Sequence, residues 1–388
     1  MNQFKSLFYL TQIDGLGPVR IRKLTETFGS AEKVIHASEK TLCEVEGFNK
    51  VIASSIVDSK KHLKEFEKSF DKLCKKIESI GCEVVSIEEE EYPKLLKTIY
   101  DPPLLLFVKS KRKMNELNDI SQTSVAIVGT RNPTDYGKHM AEKLSHELCA
   151  KGLCIISGLA RGVDTIAHKT ALQSHRKNSS TIAVLGCGID VIYPPENKKL
   201  FDEICEHGFI ISEFEPGTTP DKNNFPVRNR IISGLSLGTI IIESGINGGA
   251  LITARYANDQ SREVFALPGF STSKYSRGTN MLIKTGQAKL VEDVDDVISE
   301  LSAHLNISNE DSEAQTKNRE QAREETLEAL RGNERTVFSI MNNNGAVHID
   351  QISETSGLNI SDCLVTLLNL EFKNLVRQLP GKRFEIML

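Results

Sequence analysis

The sequence predicts an α/β protein. It reads as a Rossmann-like doubly wound sheet, preceded by a helical unit of helix-hairpin-helix (SAM-like) type and followed by a winged helix. Three observations carry this reading. From about Ser124 the chain alternates short, continuously apolar runs with helical patterns. Runs that are apolar throughout belong to strands covered on both faces, as in a parallel sheet with helices on either side. Before residue 79 there are only amphipathic helical patterns joined by glycine turns, and after an acidic stretch at 301–333 the chain closes with three short helices and a hairpin. A chain of 388 residues is also longer than one core usually serves, at roughly 100–200 residues per domain.

Residues 1–78 form the first predicted unit. Ile13-Asp14-Gly15-Leu16-Gly17-Pro18 is a Gly-x-Gly turn, followed by a helix with Ile21, Leu24 and Phe28 on one face and a stop at Gly29. Val45-Glu46-Gly47-Phe48 echoes it without the second glycine. Such a turn either offers backbone N–H groups at a helix N-terminus to a phosphate or simply joins two packed helices. Ser59 to Lys76 carries seven lysines among Leu63, Phe66, Phe70 and Leu73, the pattern of an amphipathic helix with a solvated basic face.

Residues 79–300 form the sheet unit. Strands are expected at Val84–Ile87, Leu104–Val108, Val125–Val128, Cys154–Ser157, Thr181–Leu185, Phe209–Ser212, Thr239–Ile242 and Val264–Leu267. Helices are expected over Tyr136–Ala150 and up to Leu172. Residues 301–333 read as an acidic tether. Within it, residues 301–330 hold three basic residues (Lys317, Arg319, Arg323) against seven acidic ones. That segment accounts for the whole formal charge of −4, so an anion-binding surface elsewhere must be a local cluster. Residues 334–388 form the last unit, with helices around Val337–Met341, over Ile349–Ser356 and from Ser361-Asp362 onward. A hairpin about Pro380-Gly381 follows. Its charges nearly balance, so DNA contact does not follow from charge, and a protein-interaction or dimerisation role is equally open.

Composition excludes several classes. No run approaches the roughly 18 apolar residues of a membrane span, and the N-terminus lacks the basic flank and apolar core of a signal peptide, so a cytoplasmic protein is expected. Eight cysteines are scattered without a Cys-x-x-Cys pair, which predicts buried thiols and no metal site.

In an open α/β sheet, ligands gather outside the carboxyl ends of the strands. Gly129-Thr130-Arg131 follows the first strand of the parallel set, where backbone N–H groups and a guanidinium can face one phosphate. It is neither Gly-x-Gly-x-x-Gly nor a Walker loop, so no nucleotide cofactor is expected. Ser157-Gly158-Leu159-Ala160-Arg161-Gly162-Val163-Asp164 follows the next strand. Its small residues permit close backbone approach, and Arg161 and Asp164 can pair with each other or with a ligand, unless the loop is only a structural turn. His168, one helical turn later, reads as a packing residue.

Phe225-Pro226-Val227-Arg228-Asn229-Arg230, with Lys222 before it, sets an aromatic ring beside two arginines and an asparagine. A ring offers single-stranded nucleic acid a sequence-tolerant stacking face, and arginines track its phosphates. The alternative is a helix start with Phe225 buried. Glu243-Ser244-Gly245 stands without a second carboxylate or histidine at recognisable spacing, and no nucleophile–base pair is evident. Binding is therefore favoured over catalysis.

These loops in this order resemble the DNA-processing protein A family (DprA, also called Smf) over roughly residues 90–295. The likeness rests on Gly129-Thr130-Arg131 with Tyr136-Gly137, Ser157 to Asp164 with Ala167-His168, and Leu185 to Asp190 with Tyr193-Pro194. It continues through Phe225 to Leu235, Leu251 to Ala254, Leu267-Pro268-Gly269 and Gly278-Thr279-Asn280. The resemblance implies single-stranded-DNA binding in the α/β unit without a cofactor or nuclease activity. It also implies loading of RecA onto incoming strands during natural transformation, by a homodimer. Single-strand contacts carry over to Arg131, Phe225, Arg228 and Arg230, with Lys222 as a weaker match. Thr130, Thr170 and Gln287 depart from the usual serine, glycine and alanine, the last near the part associated with dimerisation. A rival likeness joins Gly238-Thr239 and Glu243 to phosphoribohydrolases acting on nucleoside monophosphates, in which such a glutamate is catalytic. The Phe225 to Arg230 stretch has no place in that enzyme pattern.

Overall fold

A computed structural model describes residues 3–174, 180–302, 326–327, 330–341, 347–373, 375–379 and 383–386. The chain divides into two compact units, residues 1–305 and 306–388.

The first unit opens with helices α1 (Gln3–Thr11), α2 (Pro18–Phe28), α3 (Ala31–His36), α4 (Glu39–Cys43), α5 (Lys50–Ser59) and α6 (Leu63–Ser79). The same turn is built twice. Gly15 and Gly47 take φ of +78° and +87°, and the N–H groups of Leu16 and Phe48 donate back to the Ile13 and Val45 carbonyls. Where the first turn has Gly17, the second has Asn49, whose side chain caps α5 by accepting from the Ile52 N–H. The missing glycine is thus replaced by a helix cap. Phe66 and Phe70 of α6 pack against Phe8 of α1, and Phe66 also meets Tyr9 edge-on. The basic face of α6 is not wholly solvated: Lys76 pairs with Asp190 at 3.0 Å in the sheet region. The apolar core likewise passes without a break from Leu7, Leu24 and Phe70 into Val85, Leu106 and Ile211.

The sheet unit alternates β1 (Glu83–Ser86), α7 (Lys94–Lys97), β2 (Leu105–Lys109), α8 (Glu116–Gln122), β3 (Ser124–Val128), α9 (Asp135–Ala150), β4 (Cys154–Ser157) and α10 (Val163–Gln173). It continues with β5 (Thr181–Leu185), α11 (Lys198–His207), β6 (Phe209–Ser212), α12 (Asn224–Gly234), β7 (Gly238–Ile241), α13 (Gly249–Asp259) and β8 (Glu263–Ala266). It ends with α14 (Arg277–Lys284), β9 (Lys289–Leu290) and α15 (Val294–Leu301). Among the described residues the strand order is β1-β2-β6-β5-β4-β3-β7-β8-β9. From β6 to β9 every pairing is parallel; β1 and β2 extend the sheet antiparallel at one edge. Strands β3 to β6 wind one way from β3, and β7 to β9 wind the other. The β3/β7 boundary, with Val128 opposite Ile241, is the switch point where such folds hold ligands. The expected strands all form, shifted by one residue at most at either end. Strand β9 was not foreseen because two exposed residues leave no apolar run.

The second unit has helices at Asn333–Ile340, Ile349–Ser356 and Ile360–Phe372, and strands β10 (Val347–His348), β11 (Val376–Leu379) and β12 (Arg383–Ile386). The sheet order β10-β12-β11 adds one short strand to the expected hairpin and completes a winged helix. Val337, Phe338, Ile352, Leu367 and Phe384 fill its core. Most of the expected tether, and the Pro380-Gly381 turn, lie outside the described residues.

The thiols divide. Cys82, Cys149, Cys154, Cys187, Cys205 and Cys363 are buried, but Cys43 is exposed and Cys74 partly so, against the expectation of burial throughout. Cys43 ends the short helix α4, in which Leu42 is the residue turned into the core. Burial pushes the Cys82 and Cys149 thiols up to about 12. No helix among the described residues is long and apolar enough to cross a membrane.

Candidate nucleic-acid interface at the switch point

The loops after β3, β4 and β7 surround a cleft of about 550 Å³. They are stitched to one another. The Thr130 N–H donates to the Glu243 carbonyl at 2.9 Å, and the Val163 N–H to the Thr130 carbonyl at 3.3 Å. Gly162, at φ +77°, lies so close to the first loop that a Cβ there would stand 2.4 Å from the Thr130 oxygen. At Gly129 a Cβ would stand 2.6 Å from Val163 Cγ2. The glycines of both loops therefore serve backbone approach.

Arg131 projects from this platform. It is exposed, and its guanidinium makes no hydrogen bond or ion pair among the described residues. Its charge lies 5.8 Å from the centre of the Phe225 ring. Phe225, in the first turn of α12, is half-buried, and Tyr193 packs beside it at 5.4 Å. Gly186 makes room for the pair, since a Cβ there would stand 2.7 Å from the Phe225 ring. Lys222 is exposed on the rim, and Asn229 lines the cleft. First-turn residues of α10, α12 and α13 (Asp164, Phe225 and Ala250) line it as well, so three helix N-termini border one space.

The other expected residues make contacts within the protein, and of these Arg161 is exposed and lines a smaller cavity with Arg131, Tyr193 and Phe225. Arg228 borders the cleft but is buried. It donates to the carbonyls of Gly158, at 2.9 Å, and Val184, and its Nε to Asn229 at 3.2 Å. It staples the ends of β4 and β5. Burial lowers its pKa to about 10, so it remains a fixed positive charge beneath the cleft at neutral pH. Ser157 is fully buried and donates to the Ile127 carbonyl. Gly158 gives the Arg228 guanidinium its space. Arg161 and Asp164 do not pair. Arg161 points outward to Glu196, while Asp164 accepts from the N–H groups of Gly158 and Ala160 at 3.1 and 3.3 Å. Burial raises the Asp164 pKa, opposed by the charge of Arg228.

Arg230 corrects the sequence reading most clearly. It is buried on the far side of α12, 2.6 Å from Glu213 and 3.0 Å from Asp101, and does not line the cleft. Helical geometry explains this. Residues 228 and 229 follow 225 by three and four positions and share its face, whereas 230 is rotated away.

Glu243, the rival reading's catalytic carboxylate, is also committed. It is buried, and its two oxygens accept from the Thr134 N–H at 2.9 Å and the Thr134 hydroxyl at 2.5 Å. Thr134 caps α9 by accepting from the Gly137 N–H. Gly137 is pressed so close that a Cβ would stand 2.3 Å from the carboxylate. A carboxylate so engaged holds a helix end rather than a substrate proton. His168 is the packing residue expected: it is fully buried against the Thr181 hydroxyl at 2.7 Å, and burial lowers its pKa to about 3.

Sequence reasoning did not single out Tyr193 as a cleft residue. Its signal was available, because Tyr193-Pro194 follows the β5 loop on the same sheet edge. Among the described residues no group of three or more His, Cys, Asp or Glu side chains is placed to hold a metal.

Comparison with known proteins identifies the units of the chain. Residues 83–302 match the model of DNA recombination-mediator protein A, 321–382 the DprA winged-helix domain, and 8–61 a SAM-like helix-hairpin-helix tandem. The chain is 33% identical over 395 residues to protein Smf of Synechocystis, spanning 97% of this chain and 96% of that protein. The crystal structure of DNA processing protein A from Streptococcus pneumoniae superposes with a TM-score of 0.63 at 35% identity, over 76% of this chain and 97% of that one. A structure of DNA processing protein A from Helicobacter pylori, described for its single-stranded-DNA binding mode, gives 0.50 at 34% identity over 57% and 96%. With the recombination-mediator model matched across its sheet and a winged helix of the same family at its end, the chain belongs to the DNA recombination-mediator protein A (DprA/Smf) family, whose members are mediators rather than enzymes.

Proposed function

We propose that this protein binds single-stranded DNA in the switch-point cleft. One observation carries the reading: an unpaired arginine, Arg131, stands over Phe225, which packs beside Tyr193, at the meeting of three helix N-termini. A phosphate draws the guanidinium and the backbone N–H groups, and a base stacks on the open side of the half-buried Phe225 ring. Because Arg131 rests on Phe225 in the free protein, it leaves the ring for the phosphate as the base arrives. Gly129, Thr130 and Asn229 shape the floor, Lys222 adds charge at the rim, and Arg228 supplies a fixed positive potential. The binding mode described for the Helicobacter relative supports the same ligand class.

The family resemblance extends the proposal to protection of incoming strands and their transfer to RecA during transformation or homologous recombination. It also extends to action as a homodimer. Met281 and Leu290, exposed on α14 and at the β9 edge, support a dimer contact there. Two clefts in one dimer bind a strand cooperatively, since the second engagement is intramolecular.

The test is fluorescence anisotropy of a labelled strand of about 30 nucleotides with wild type and Arg131→Ala, at two salt concentrations and without ATP. Salt-sensitive binding that prefers single over double strands and is lost in the variant is expected. Identical binding by the variant would move the site out of the cleft.

A further inference from the structure

The cleft is bounded on one side by the turn Ser244–Gly249, and a second loop is docked behind that turn. The Gly278 N–H donates to the Ser244 carbonyl at 2.8 Å, and a Cβ on Gly245 would stand 3.5 Å from the Lys274 carbonyl. This loop, residues 268–276, is firmly built. Asn280 accepts from the Gly269 N–H at 3.1 Å and donates to the Gly269 carbonyl at 2.8 Å, and the Ser273 N–H closes onto the Phe270 carbonyl at 2.9 Å. Tyr136 ties it to α9 through the Pro268 carbonyl.

What this loop presents is unusual for a braced surface turn. Phe270 is 85% exposed, and the exposed Lys274 and Arg277 follow it in the same segment. Neither cation forms a hydrogen bond or ion pair among the described residues; Lys274 lies only over the Tyr275 ring, at 5.1 Å. A single exposed aromatic is ordinary. An aromatic held out by a braced loop that also carries two unneutralised cations, across one turn from the cleft, has the chemistry of a stacking platform with phosphate contacts.

We infer that the 268–277 loop is a second station for the same single strand, in which Phe270 stacks a base and Lys274 and Arg277 take phosphates. The strand leaves the cleft across the Gly245–Gly248 turn and continues over this loop. The inference rests on the proposal that the strand occupies the switch-point cleft, and it adds a longer footprint running in a defined direction along the sheet's carboxyl edge. The occupant is nucleic acid rather than a protein surface because the cations are unpaired and the loop continues the edge on which the cleft opens.

The chain contains no tryptophan, so one introduced indole reports one position. Phe225→Trp and Phe270→Trp, each in the full-length protein, are titrated with oligothymidylates from about 4 to about 20 nucleotides. Short strands are expected to quench the indole at 225 alone, and longer strands both. Phe270→Ala is expected to leave short-strand affinity unchanged and to weaken long-strand binding by about tenfold, the scale of one lost base stack. An indole at 270 that stays unquenched at strand lengths saturating the indole at 225 overturns the second station and leaves the cleft intact. An indole at 225 that never responds overturns both. Sedimentation of Phe270→Ala separates a dimer contact: a changed oligomeric state would assign Phe270 to a protein interface and also overturn the station.

Discussion

Arg228 and Gly158 occupy each other's space. The guanidinium donates to the Gly158 carbonyl at 2.9 Å, while a Cβ on residue 158 would lie 2.6 Å from Nη2. Gly158→Ala is therefore expected to displace the arginine and release the carbonyls at the ends of β4 and β5. A loss of about 1–3 kcal/mol in urea denaturation should accompany weaker single-strand binding. Unchanged stability would show that the staple relaxes without cost.

Arg131 and Phe225 should separate by salt. Arg131→Ala removes a phosphate contact, so the slope of log affinity against log salt becomes shallower by about 0.7. Phe225→Ala loses about 1–3 kcal/mol of stacking with the slope unchanged. Anisotropy titrations at four salt concentrations read both quantities, and equal slopes for the two variants would contradict the division of roles.

Glu243 should matter for folding and not for turnover. Glu243→Gln keeps an acceptor for the Thr134 N–H but turns an amide donor toward the Thr134 hydroxyl, which then loses its acceptor and already receives the Gly137 N–H. A cost of about 1–3 kcal/mol in denaturation is expected. The wild type should release no free base from a nucleoside monophosphate. Base release that disappears in Glu243→Gln would restore the enzymatic reading.

His168 gives the fold a pH dependence whose direction is fixed. Its folded pKa lies near 3, below the unfolded value of 6.5, so the native state keeps it neutral. The associated stability is complete above pH 6.5 and is lost as pH falls toward 3, by about 2 kcal/mol at pH 5. Asp164, with its raised pKa, works the other way, gaining stability as pH falls through the carboxylate range. His168→Gln should therefore show a flatter stability profile than wild type between pH 6.5 and 5. Parallel profiles from denaturation at each pH would refute the assignment.

The strands were legible because buried parallel strands are written as continuous apolar runs, and Ile155, Ile182 and Ile210 need no partner knowledge to be read that way. The loops were legible as a set, since each follows a strand end. The arginines were not. Arg131, Arg228 and Arg230 look alike in sequence, yet one is unpaired, one clasps backbone carbonyls and one sits between two carboxylates. The distinguishing groups, Val184, Glu213 and Asp101, are remote in the chain, and only the helical rotation between 228 and 230 was there to be used. Phe270 escaped notice for a related reason: its meaning depends on the Gly245 turn that lies beside it in space.

The Glu243–Thr134 clasp also changes what the crease of the sheet can admit. A free carboxylate at the point where the strands part company would turn away a polyanion and invite a sugar hydroxyl. Turned inward onto the first turn of α9, the same side chain is withheld from the opening. On the proposed reading, a crevice that this architecture elsewhere uses to enclose one small molecule is left free of that carboxylate for a polyanion.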